Sequence, residues 1–175
     1  MCGQCYTMKF AFLRSPRFPF YLALAVGLGL TGGGVLMAEM LRLAACPLCI
    51  LQRMLYLSIA AFALFGVLLA NRRAARVAVL LLMSLAAAMG VFIAGFQTWL
   101  QRFARFASCA ADYPWWEQLV DWAGERWPLL FRASGLCSDP AWKFLGLSIA
   151  EWSLTIFTAL LIFLVYSLFK SLSRR

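Results

Sequence analysis

The sequence contains no histidine, and only seven of its 175 residues are acidic. Without histidine the chain lacks the commonest ligand of protein-bound metals and the usual general base near neutral pH. Haem held by histidine is excluded, and a structural zinc site would have to be built from thiolates alone. Charge is scarce altogether: 13% of residues are charged and 64% are hydrophobic, where a soluble domain carries about a quarter charged. The lipid bilayer is therefore the expected solvent.

Four uncharged runs are long enough to cross it: Phe18–Ala38, Met54–Asn71, Val77–Gln101 and Trp152–Phe169. At a helical rise of 1.5 Å, about 18 to 25 residues span the roughly 30 Å hydrocarbon core. None of the runs alternates in polarity, so a β-barrel is excluded, and helices satisfy their backbone internally. The second run can be extended backwards through Leu43–Gln52, ahead of Arg53. The expected fold is an all-α membrane protein, a four-transmembrane-helix bundle forming a single membrane domain, 1–175. Its spans are expected at about 18–40, 48–71, 77–101 and 150–169, and its outer loops at about 39–49 and 102–150. The first span is too long for a cleaved signal peptide. Leu43-Ala44-Ala45-Cys46 resembles a lipoprotein cleavage box, but Glu39 and Arg42 interrupt the apolar approach to it.

The net charge of +9 is unevenly placed. Lys9, Arg14, Arg17, Arg72, Arg73, Arg76, Lys170, Arg174 and Arg175 fall on one side of the spans with no acid among them. All the acids lie on the other side, where they balance the basic residues there. The positive-inside rule then places both termini in the cytoplasm and the two longer loops outside. Positive charge of this kind sets topology and lies against anionic lipid, so nucleic-acid binding is not expected.

Four of the six cysteines fall in the outer loops, on the face where disulfides can persist. Cys46-Pro47-Leu48-Cys49 opens the second span. Proline suits a first helical turn, and the positive helix end favours a thiolate at Cys49. Cys109 and Cys137 lie in the second outer loop. Zinc uses the same two-residue spacing but would need all four thiols locked together. Arg53 follows Cys49 by one helical turn on the same face. It reads as an interface anchor, as a cation beside the thiolate that hydrogen-bonds a quinone carbonyl, or as both at once. Tyr113 to Trp122 is rich in tryptophan and acid, and reads as a short amphipathic helix lying on the outer leaflet or as a partner docking surface. Leu119, Trp122 and Trp115 or Trp116 share its apolar face. Gly29 and Gly33 in the first span suggest close helix packing inside the bundle rather than dimerisation, and a monomer is expected.

These residues resemble the DsbB family of bacterial quinone-linked disulfide-generating membrane proteins. The resemblance rests on the four spans, the Cys-X-X-Cys with arginine four residues later, and the loop cysteines. It also includes Ala133-Ser134-Gly135-Leu136-Cys137 and Trp142-Lys143-Phe144-Leu145-Gly146-Leu147, leading into Glu151-Trp152. It implies a bacterial inner-membrane thiol:quinone oxidoreductase, with its cysteines on the periplasmic face, that reoxidises a periplasmic DsbA-type thioredoxin-fold oxidase. In that scheme Cys109 is attacked by the reduced partner, Cys137 is its disulfide mate, and Cys46 accepts electrons from the loop pair. Cys49 meets ubiquinone or menaquinone beside Arg53. Gln97 stands where some relatives carry a histidine near the quinone, and it can hydrogen-bond there without carrying charge. Cys2 and Cys5 fall on the cytoplasmic side and read as incidental, Met8 offering an alternative start. The competing readings are a reductase of the vitamin-K-epoxide-reductase type, whose active pair sits near the end of a later span, and a non-catalytic protein with static disulfides or copper-binding thiols.

Overall fold

The computed structural model describes residues 15–103, 115–138 and 142–173. Among these, helices α1 (Phe18–Leu41), α2 (Pro47–Leu69) and α3 (Arg73–Phe103) are followed by two short ones, α4 (Trp115–Arg126) and α5 (Pro128–Phe131). A two-stranded ribbon, β1 (Lys143–Phe144) and β2 (Leu147–Ser148), leads directly into α6 (Ile149–Ser173). Helices α1, α2, α3 and α6 are each long and apolar enough to cross a membrane. The protein is a four-helix membrane bundle.

Local chemistry sets the helix limits. α1 has a proline in its first turn and ends where Arg42 turns left-handed, at φ 49°. There the Arg42 N–H donates to the Glu39 carbonyl and the Leu43 N–H to that of Ala38, satisfying the exposed helix end. α2 begins at Pro47, which gives up no donor in a first turn. α3 starts at Arg73, ahead of the uncharged run, because the basic side chains at its start have acceptors. Arg73 Nη2 donates to the Leu172 carbonyl at 2.7 Å. Arg76 donates to Ser171 Oγ at 2.9 Å and to the Ala70 carbonyl at 3.2 Å. Two arginines thus cap the carbonyl ends of α2 and α6, where the helix dipole favours cations.

The bundle runs α1–α2–α3–α6 around its axis, each packing along the next, while α6 and α1 meet only narrowly. Phe20, Ile59, Met83, Phe157 and Leu164 lie fully buried in the shared core. Large apolar residues such as Leu85, Phe92 and Ile162 cover the outside, as lipid requires. With lipid as apolar as the core, association depends on close packing and on polar contacts between helices. Tyr56 supplies both, stacking on Phe157 at 4.1 Å and hydrogen-bonding Ser153 Oγ at 3.1 Å.

The glycines of α1 divide differently from the sequence expectation. Gly27 makes the close approach: a Cβ there would sit 2.6 Å from the Tyr56 carbonyl and 3.0 Å from the Ala60 methyl. Among the described residues, a Cβ on Gly29 or Gly33 would meet no atom of another element within 4 Å; they face open space instead of a neighbouring helix. Gly27→Ala should therefore destabilise the bundle by about 1–3 kcal/mol through overpacking against backbone. Gly29→Ala should leave the midpoint of thermal unfolding in detergent unchanged. Equal losses in the two variants would overturn this assignment.

Candidate functional site

Cys46 is the residue that caps α2. Its backbone is extended, with φ −84° and ψ 160°, and its sulfur accepts the Cys49 N–H at 3.3 Å. A Cys-X-X-Cys that opens a helix this way places one cysteine at the cap and the other in the third helical position, so both sulfurs meet at the positive end of the dipole. The Cys46 and Cys49 sulfurs are 3.0 Å apart.

Three glutamines organise the surroundings. Gln97 on α3 donates from Nε2 to both sulfurs, at 3.2 Å to Cys46 and 3.1 Å to Cys49. Its carbonyl oxygen is held by Gln52 Nε2 at 2.8 Å, which orients the donating end toward the cysteines. Gln101, one turn further along α3, is also buried, but its Oε1 has no hydrogen-bond partner among the described residues. Only Gln97 is singled out by sequence reasoning. The usable signal for the others is an amide in an apolar span, and for Gln101 the four-residue spacing from Gln97, which puts both on one helix face.

Arg53 reaches out from α2 and joins two other elements. Its guanidinium donates to the Gly34 carbonyl of α1 at 3.1 Å and to the Leu130 carbonyl of α5 at 3.2 Å. Cys49, Gln52, Arg53, Gln97 and Gln101 all face one cavity of about 580 Å³. α1 contributes the bare backbone of Gly29 and Gly33 to its wall, and α6 contributes Ser153 and Ile156. The cavity lies where the bundle is least closed, between α1 and α6. Trp142, Phe144 and Trp152 line its rim; Trp142 and Phe144 stack at 5.6 Å, and the Trp152 indole donates to the Phe144 carbonyl at 3.1 Å. Arg102 and Glu151 form an ion pair linking the end of α3 to the start of α6. Glu151 also accepts the Ser148 N–H at 2.7 Å while Ser148 Oγ accepts the Glu151 N–H, a capping box on α6.

Cys137 is brought to this site from a distant part of the chain. It packs against the buried cluster of Cys46, Leu48 and Ile93, where the Cys46 side chain and the Leu48 backbone are its polar neighbours. These neighbours, Cys46 first, hold its thiol below the ordinary value against the opposing effect of burial. Cys46 thus lies between two other cysteines, Cys49 and Cys137. Cys109, Cys2 and Cys5 lie outside the described residues. On α4, Trp115, Leu119 and Trp122 form the exposed face, whereas Trp116 turns inward with buried Val120 and Ala123.

A membrane bundle that gathers three thiols at a helix start, beside an apolar cavity, defines a membrane thiol oxidoreductase. The family model described as disulfide bond formation protein DsbB matches residues 16–167. The chain is 41% identical over 156 residues to disulfide bond formation protein B of Dechloromonas aromatica (strain RCB), covering 86% of this chain and 91% of that protein. It is 39% identical over 161 residues to the protein of the same name from Aromatoleum aromaticum, covering 90% and 93%. It is 36% identical over 148 residues to that of Nitrosomonas europaea, covering 82% and 87%. The chain belongs to the DsbB family, and its activity is in disulfide bond formation.

The depressed Cys137 thiol has a definite pH signature. Because its folded pKa lies below the unfolded one, its contribution to stability is complete above the unfolded thiol value and is lost as pH falls through the folded value. In reduced protein with Cys109→Ser, iodoacetamide should alkylate Cys137 with a pH midpoint below that of free cysteine. Cys46→Ala should move the midpoint upward. A midpoint at or above that of free cysteine in the parent would contradict the geometry.

Proposed function

We propose that the protein reoxidises a periplasmic DsbA-type thioredoxin-fold oxidase and passes the electrons through two cysteine pairs to a membrane quinone, ubiquinone or menaquinone. The observation that carries this reading is Cys46 in contact with both Cys49 and Cys137 beside the apolar cavity. Static structural disulfides would call for one fixed mate per cysteine. A shared central sulfur suits exchange.

The steps balance as thiol–disulfide exchanges. A thiolate of the reduced partner attacks Cys109 in a Cys109–Cys137 disulfide, forming a mixed disulfide and freeing the Cys137 thiolate. Cys137 attacks Cys46 in the Cys46–Cys49 disulfide and displaces the Cys49 thiolate. The partner's second thiolate then releases Cys109, which attacks Cys137 and frees Cys46. The partner leaves oxidised, the loop pair is a disulfide again, and Cys46 and Cys49 hold the two electrons. Cys46 and Cys49 would return to the disulfide by giving up two electrons and two protons, which a quinone held beside Cys49 and Arg53 would accept.

The cavity fits such a group: it is apolar, it borders Cys49, and Arg53, whose guanidinium has more donors than the two carbonyls it holds use, lies at its wall. Gln101 Oε1 is an unpaired acceptor there, suited to a hydroxyl of the reduced acceptor. The Gln97 amide stabilises negative charge developing on either sulfur. In this reading the thiol end of the bundle is periplasmic and the arginine-capped end cytoplasmic, in a bacterial inner membrane. Both termini are then cytoplasmic. The exposed face of α4, Trp115, Leu119 and Trp122, lies on the outer leaflet. Residues 1–175 act as one membrane domain and as a monomer.

With purified protein, ubiquinone-1 and a reduced DsbA-type substrate, quinone absorbance should fall, and Cys49→Ser should abolish the loss. Full turnover in Cys49→Ser would overturn the mechanism. Arg53→Ala should raise the quinone KM about tenfold or more, the weight of one charged hydrogen bond. An unchanged KM would confine Arg53 to tying α5 and α1 together.

A further inference from the structure

The segment before Cys137 is fastened to the segment before Cys46 by backbone alone. The Ala45 carbonyl accepts two N–H groups at once, from Ser134 at 2.8 Å and from Gly135 at 3.0 Å. Gly135 lies so close that a Cβ on it would sit 2.4 Å from the Ala44 carbonyl oxygen, 3.0 Å from its carbon and 3.3 Å from its methyl. Those first two atoms belong to backbone, so a side chain at 135 finds no flexible group to push aside. Ala45 immediately precedes the capping cysteine, and Cys137 follows Gly135 by two residues. The clip therefore joins the two loops next to the atoms that exchange.

We propose that Gly135 is a positioning residue for electron transfer between the two cysteine pairs, its side-chain-free contact with Ala44 and Ala45 holding Cys137 against Cys46. The proposal rests on the exchange reading given above and adds what sets the rate of its internal step. Attack of Cys137 on Cys46 is intramolecular, so its speed follows the effective concentration of one sulfur at the other. A loop free to drift lowers that concentration without altering either thiol. The clip is also well suited to a reversible device. Two hydrogen bonds to one carbonyl contribute modestly, so the loop can part from the bundle when Cys137 is paired elsewhere and return when it is free.

The test uses the full-length protein in detergent, with Cys2, Cys5 and Cys109 replaced by serine. In one background Cys49→Ser leaves Cys46 and Cys137 as the only thiols; in the other Cys137→Ser leaves Cys46 and Cys49. The effective concentration of each pair is measured by equilibration with reduced and oxidised glutathione and mass spectrometry of trapped peptides. Gly135→Ala should lower the value for Cys46–Cys137 about tenfold or more and leave that for Cys46–Cys49 unchanged. An unchanged Cys46–Cys137 value would overturn the proposal, and so would an equal fall in both pairs, which marks general loosening. Should Gly135→Ala fail to fold, Ser134→Pro removes one of the two donors and sets its ring against the Ala45 carbonyl, parting the clip from the other bond, and it is held to the same outcomes. Failure of Cys46–Cys137 to form even with Gly135 intact would instead count against the exchange reading itself.

Discussion

Cys46 caps α2 with a sulfur where most helices use an oxygen, and the geometry of the thiol end follows from that substitution. The cap position is extended while the next residue is already helical, so the chain must arrive across the bundle end and turn sharply down into the membrane. Pro47 makes that turn inexpensive by occupying a position with no donor to satisfy. The cap sulfur then faces the first-turn N–H groups, which is where the dipole best supports negative charge. Cys49 falls beside it because the third helical position lies directly under the cap. Gln97 spans both sulfurs, and Cys137 reaches the remaining open side. Moving the helix start by one residue would separate all of these at once.

The amide network around the pair shows how a polar site is kept in an apolar bundle. An unpaired buried amide costs about 1–3 kcal/mol, and membrane surroundings offer no water to reduce it. Gln52 donates to the Gln97 oxygen and Gln97 donates in turn to the two sulfurs, so Gln97 is satisfied without a titrating partner. With no histidine in the chain, the cysteines themselves are the groups at the site that readily exchange protons. The charged side chains facing the thiols are Arg53 and Glu117, while the amides orient without titrating.

What could be read from the sequence divides by the range of the contacts involved. The four spans are legible because bilayer thickness dictates their length whatever they pack against. The helix start at Pro47 is legible because capping chemistry is local, and so is the shared face of Cys49 and Arg53. The cavity is not legible: it exists because α1 and α6 fail to close, a relation between residues far apart in the chain. For the same reason Gly29 and Gly33 look like packing glycines in sequence, when Gly27 makes the close approach and they stand at open space. On α4 the periodicity identifies an apolar face, but only tertiary contact with the Cys46 cluster separates inward Trp116 from exposed Trp115. The α3 limits overrun the uncharged run because arginine at its start finds carbonyl acceptors on neighbouring helices, which hydropathy alone does not register.

Arg53 anchors helices and carries a charge at the cavity wall with one side chain. A guanidinium this close to hydrocarbon needs acceptors, and it finds them on two separate elements. The Leu130 carbonyl lies near the end of a four-residue helix, where carbonyls have no intrahelical partner. The Gly34 carbonyl can accept a second bond because it retains a lone pair beyond the helical one. One side chain thus relieves an orphan acceptor, ties α5 to the bundle and still presents its charge along the cavity wall. Such a span requires the planar fork of arginine; lysine, a single compact charge, could occupy the region but not hold both carbonyls from one fixed orientation. The anchoring bonds are what fix the charge in place, so anchoring and electrostatics here are consequences of the same geometry.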